Sequence, residues 1–245
     1  MRPSDFMIGL INFLSILLPG AIAATLLLHV SPELRELSDA LPQHDAFAWT
    51  AFFAASYFAG HLIFLVGSWL DPVYDAVRRR RQPLPDEEPE KPSWFDPILD
   101  FLLKRRLPWV KKAPDQKYAN AYTVVDTLRC DIMTDAEFAG TNSFQWSRAL
   151  LIQNCPAAHK DIEVHEADQK FFRSLVILSL AVAVGAAIAL EWVVAGIALA
   201  AASASFVRYY NRRLKTVTLA YTHVLTLYRC GDLTFRPLVS EPTQQ

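Results

Sequence analysis

One ionisable side chain stands inside an apolar run that is otherwise uncharged: His61, within Ala46 to Leu70. An imidazole one helical turn from Tyr57 has the chemistry for proton transfer if that run crosses a bilayer, where ionisable groups mark functional sites. A relay also needs an acid, and Glu191, at a turn between two apolar segments, meets water instead. The favoured reading of His61 is therefore structural, an imidazole hydrogen-bonded between helices to Asn12, Ser15 or Tyr57. The alternative is a small transporter or channel that uses His61 together with Pro19. The Pro19-Gly20 pair interrupts the first apolar run, and proline frees a backbone carbonyl and kinks a helix, which suits a hinge or a pore lining.

Cys155, His159, Glu163, His165 and Glu166 are residue types that ligate metals, but their spacing matches no established site. Polar helix surfaces carry such residues routinely, so no metal and no cofactor is expected. There is no G-x-x-x-x-G-K, no G-x-S-x-G and no H-E-x-x-H. The expectation is a protein that is not an enzyme, with no catalytic residue. Cys130, Cys155 and Cys230 form no C-x-x-C pair and read as free thiols.

These side chains are positioned by apolar runs of membrane length. The chain is 52% hydrophobic and 20% charged, and the charge is crowded into a few windows. A spanning helix needs about 20 apolar residues. Met7 to Val30 and Ala46 to Leu70 each satisfy this, and Ser174 to Phe206 fits two minimal spans with a tight turn at Glu191-Trp192. Buried helices of a soluble bundle would show a polar face every three to four residues, and "SLVILSLAVAVGAAIAL" shows none. The segment around Pro19, with Ala21-Ile22-Ala23, imitates a signal peptide and its cleavage site. Asp5 in the leader and the continued apolar run through "TLLLHV" favour an uncleaved span.

Basic residues set the orientation. Arg78, Arg79, Arg80 and Arg81 follow the second run, Arg173 precedes the third, and Arg208, Arg212 and Arg213 follow the fourth. All fall on one side if both termini are cytoplasmic. Asp71-Pro72 should break or redirect the helix after the second span, and "RQPLPDEEPEKPSWFDP" should be an extended linker. "SWFDPILDFLLKRRLPWVKK", with Arg105 and Arg106, suits a helix on an anionic leaflet or one packed on its own domain. Nucleic acid is the weaker option because acids are interleaved throughout.

The expected organisation is all-α: residues 1–70 hold two spans (about 7–30 and 46–70) around a short external loop, and 71–170 form a cytoplasmic linker and helical region. Residues 171–207 form a transmembrane hairpin, and 208–245 a cytoplasmic helix and tail. Two central helices are expected, "ANAYTVVDTLRCDIM" and "SFQWSRALLIQN", and after "CPAAHKD" a further helix should run into the third span. Small residues four apart, including Gly185, Ala189, Gly196 and Ala200, allow close helix approach. They would pack within the hairpin or between copies in a homo-oligomer.

With "FLSILLPG" in the first span and "HEADQKFFRSL" entering a hairpin with a helical tail, the chain resembles small multi-pass membrane proteins encoded beside bacterial CRISPR and nucleotide-signalled anti-phage systems. That resemblance covers the layout of most of the chain. It implies an inner-membrane effector or accessory protein that acts on the envelope when a cytoplasmic protein or small-molecule signal engages it. It transfers no catalytic residue. A non-gating anchor or scaffold is the third reading.

Overall fold

The computed structural model describes residues 3–40, 45–81, 116–132, 142–231 and 233; within its helices the side chains of 3–12, 14, 37–40, 45, 79–81 and 116–119 lie outside the description. The described residues are helical, with no strand among them. In chain order the helices are α1 (Pro3–Val30), α2 (Pro32–Ala40), α3 (Asp45–Gly67), α4 (Leu70–Arg81), α5 (Gln116–Ile132), α6 (Ser143–Asn154), α7 (Pro156–Ile188) and α8 (Trp192–Cys230).

Three of these, α3 from Ala46, α7 and α8, are long and apolar enough to cross a membrane. The apolar stretch described in α1, Ser15–Val30, is shorter than a span. The chain divides into two compact units. One gathers Met1–Pro114 with Glu163–Lys215, the other Asp115–Ile162 with Thr216–Gln245. Both divisions fall inside helices, α7 and α8.

In the first unit, α1 packs on α3. The seam is lined by small groups: Ser15, Pro19, Gly20, Ala23 and Ala24 on α1, and Ser56 and Gly60 on α3, are all buried. Glycine is required at two of these points because backbone meets backbone. A Cβ on Gly20 would fall onto the Ser56 carbonyl oxygen and 2.6 Å from the Gly60 nitrogen. A Cβ on Gly60 would fall onto the Ile16 carbonyl oxygen and 2.9 Å from its Cγ2. Small residues replace the missing hydrophobic drive between apolar helices in lipid by letting van der Waals contact run along the backbone.

The loops differ in detail from expectation. The segment after α1 is not merely a connector but carries α2, with Ser31 donating to the Glu33 carboxylate at 2.8 Å at its start. α3 ends at Gly67, four residues before Asp71. Ser68 and Trp69 make a turn in which Ser68 N donates to Leu65 O (3.1 Å) and Asp71 N to Ser68 O (3.0 Å), and α4 then begins at Leu70. Pro72 fits inside because the first turn of a helix needs no N–H partner there. "CPAAHKD" is likewise not an extended break: Cys155 alone interrupts, and Pro156 starts α7.

The turn between α7 and α8 lies where the sequence places it. Leu190 N donates to Ala187 O at 3.1 Å and Glu191 N to Ala186 O at 2.8 Å, the paired bonds that close a helix C-terminus through a left-handed residue. That residue is Leu190, with φ +61°, where glycine is usual.

The second unit is built on α5, α6 and the polar ends of α7 and α8. Asn142 caps α6, its side chain accepting from Gln145 N at 2.8 Å. Ser143 donates to Asp126 across α5 and α6 (2.5 Å), and Val125, Leu151, Ile162 and Val224 have no exposed surface. Of the apolar stripe read on α8, Tyr221 and Val224 are buried, Val217 and Leu225 half-buried, and Tyr228 exposed.

Candidate functional site

The charged residues read as a basic rim for lipid headgroups do not all face outwards. Arg173, at the start of the apolar part of α7, is buried, and so is Tyr209, one turn past the apolar part of α8. Both converge on Asp71, in the first turn of α4. Arg173 Nη1 donates to Asp71 Oδ2 at 3.1 Å, and the Tyr209 hydroxyl donates to Oδ1 at 2.7 Å. Arg213 Nη1 donates to the same Oδ1 and to the Tyr209 oxygen at 2.7 Å. Asp75 stands 4.0 Å from Arg213 Nη2. One carboxylate on α4 thus reaches α7 and α8 through residues 102 to 142 positions further along the chain.

Aromatic rings hold the cations in place. The Arg173 guanidinium lies 4.3 Å above the Phe64 ring, and that of Arg213 lies 4.3 Å above Tyr74. Tyr74, Val77, Tyr209 and Tyr210 form a buried cluster, with Phe172, Phe206 and Leu214 packed against it. Gly67 is small for the same reason: a Cβ there would be 3.3 Å from Arg173 Cγ and Nε. Burial pushes the Tyr209 phenol well above the usual tyrosine range, against the pull of the Arg213 charge. The hydroxyl therefore stays protonated and donates to Asp71.

The remaining residues singled out by sequence fall in different places. Arg212 pairs with Asp168 across α7 and α8 at 3.4 Å and approaches His165 Nδ1 at 3.4 Å. Arg208 is exposed, and Arg78 is half-buried on α4. The side chains of Arg79, Arg80, Arg81 and Asn12, and all of Arg105 and Arg106, lie outside the described residues. Arg173 and Arg213, both read as interface cations, share the Asp71 carboxylate at their level, and an aromatic face backs each guanidinium group.

His61 is not enclosed between helices. It is exposed on α3, its ring set edge-on to Tyr57 with centroids 4.4 Å apart, while Phe13 stacks on Tyr57 at 5.8 Å. Pro19 is fully buried in the α1–α3 seam, and α1 continues through it as one helix, so Pro19 neither interrupts the element nor lines an open path. Gly185, Ala189, Gly196 and Ala200 are exposed, and a Cβ on either glycine would meet nothing within 4 Å. Packing of these four within the hairpin is corrected: the buried small residues there are Ala186, Ala198 and Ala202.

Among the described residues, no three His, Cys, Asp or Glu side chains lie close enough to share a metal ion. His159 Nε2 instead accepts from Arg148 Nε at 3.2 Å.

Asp71 and Tyr209 are the site residues that sequence reading missed. The available signal was depth: Asp71 follows the second apolar run by one residue, and Arg173 immediately precedes the third. Acid and base at one level of a membrane protein pair readily. Chemically, two arginines and a phenol on one carboxylate make a clamp between helices, with no free nucleophile or base in it. Compared with protein-family models, curated proteins and solved structures, the chain matches none.

Proposed function

We propose that this chain is a four-span inner-membrane protein with both termini in the cytoplasm, an effector or accessory protein whose helical cytoplasmic unit receives a protein or small-molecule signal and acts through the spans. The observation that carries this reading is the Asp71 junction. It ties the end of α3, through α4, to the start of the apolar part of α7 and the exit of α8. α7 and α8 each continue past that level into the helical unit without a break. A signal that rotates or shifts either polar end would act on the same carboxylate that fixes the spans. The sequence resemblance adds anti-phage defence as the setting.

The test is leakage of a membrane-impermeant dye into cells induced to express the chain with its genomic neighbours. Leakage by the natural chain, abolished by a Gly-Gly insertion after Lys170, supports coupling through α7. Leakage unchanged by the insertion overturns it, and no leakage from the natural chain favours a scaffold. Topology is tested separately with Cys130 and Cys230, both exposed. An impermeant maleimide should label them in broken cells and not in intact spheroplasts. The transporter reading would use His61, exposed on α3, together with the buried Pro19.

A further inference from the structure

The arms of the α7–α8 hairpin are shorter than α3, although both start from one level. α3 ends at Gly67 against Arg173, where a Cβ on the glycine would stand 3.3 Å from Arg173 Cγ. From there back to Ala46 the apolar helix has 22 residues. At 1.5 Å per residue that is about 33 Å, enough for the roughly 30 Å of a bilayer core. α7 runs from Arg173 only to Ile188, about 24 Å, before the turn at Leu190. α8 returns from Trp192 to Arg208 in about 26 Å.

Neither end of the hairpin can slide to make up the difference. At the base, Arg173 and Tyr209 are held on Asp71 and the Arg173 guanidinium lies over Phe64, so this arginine cannot snorkel to a new level. At the tip stands Glu191, exposed, the one charged residue in the sequence between Arg173 and Arg208. A carboxylate is costly in hydrocarbon, so the tip must reach headgroups or water.

We infer that the hairpin holds the bilayer about 7 Å thinner on its own flank than beside α3, with lipid acyl chains covering that flank. A span too short for its membrane is accommodated by thinning of the lipid around it. The occupant is lipid because the exposure runs around the helix. Val193, Val194, Gly196, Ile197, Leu199 and Ala200 on α8 are all exposed, an arc of roughly 220° at 100° per residue. One partner face cannot cover such an arc, whereas acyl chains can. The inference rests on the four-span reading, and it assigns the hairpin as the place where the spans disturb the membrane.

The test uses the full chain with Cys130, Cys155 and Cys230 changed to serine, in vesicles mixing short-chain (dimyristoleoyl) and long-chain (dierucoyl) phosphatidylcholine. A bimane label on Val184→Cys reads the hairpin flank, and one on Phe58→Cys reads α3. Both positions are exposed, and both stand about 15 Å above the level of Gly67 and Arg173. With bromine carried by one lipid at a time, the label at Val184→Cys should be quenched roughly twofold more by the short-chain lipid. The label at Phe58→Cys should show no such preference. A short-chain preference equal at both positions, or absent at Val184→Cys, overturns the inference. So does a Val184→Cys label that neither lipid quenches, the sign of a protein cover. An impermeant maleimide should label Glu191→Cys in intact spheroplasts, and protection of that thiol even in broken cells would put the tip in hydrocarbon and overturn the inference as well. A preference retained at Val184→Cys without dye leakage from induced cells leaves the thinned flank standing and removes only the effector reading.

Discussion

α1–α3 and α7–α8 are two antiparallel helix pairs with the same small-residue signature and opposite outcomes. Gly20 with Ala24, and Ser56 with Gly60, are spaced by four and close a seam so tight that backbone touches backbone. Gly185 with Ala189, and Gly196 with Ala200, have the same spacing and face open space. The second pair is fixed at its basic end instead, by Asp71 reaching both helices and by the Arg212–Asp168 pair. Spacing makes close approach available, but the rotation of each helix decides whether it is used. A shift of one residue turns a helix face by about 100°, which is the difference between Gly185, exposed, and Ala186, buried.

The largest break in this comparison is Asp71→Ala. It strands Arg173, whose side chain is 8% exposed, while Arg213 keeps Asp75 and the Tyr209 oxygen. Stranding a buried partner costs about 3–5 kcal/mol, and because Asp71 is itself 34% exposed the lower end, about 3 kcal/mol, is expected. Reversible unfolding in mixed micelles would measure it. The α1–α3 seam should withstand this change while protease sites open near α7 and α8.

Next is Gly60→Ala, which forces one methyl into the Ile16 backbone. Overpacking costs about 1–3 kcal/mol, whereas Gly185→Ala and Gly196→Ala should stay within about 0.5 kcal/mol. Equal losses at all three positions would erase the distinction between a used and an unused face. Leu190→Gly should stabilise the α7–α8 turn by about 1 kcal/mol, since glycine adopts positive φ without the Cβ clash.

The smallest effect is alkaline. The Tyr209 phenol is raised in the folded chain, so its contribution is complete below pH 10, the ordinary tyrosine value, and falls as pH rises above it. Ultraviolet titration should show a late-ionising tyrosine that Tyr209→Phe removes. A titration unchanged by that substitution would mean the hydroxyl is not held in the clamp.

Helix class and the three long apolar segments were legible because length and uninterrupted apolarity are local properties of the chain. The Glu191 turn was legible because two minimal spans need one. The role of Asp71 was not, since an Asp-Pro pair after an apolar run reads locally as a stop signal. Its partners lie more than 100 residues away. Pro19 and His61 exchanged their expected surroundings for the same kind of reason: periodicity shows that a residue is on a helix, not which side its neighbour covers.

By itself the sequence determined an all-helical chain with apolar helices of membrane length, basic residues gathered at their ends and small residues spaced for close packing. Those features follow from composition within windows of about 20 residues. Only the tertiary structure decided which glycines meet backbone, which arginines turn inward, and that one carboxylate joins α4, α7 and α8. Each of those depends on helix rotation and on contacts between distant segments, and a guanidinium faces solvent or protein according to whether an acid and an aromatic face wait at its level.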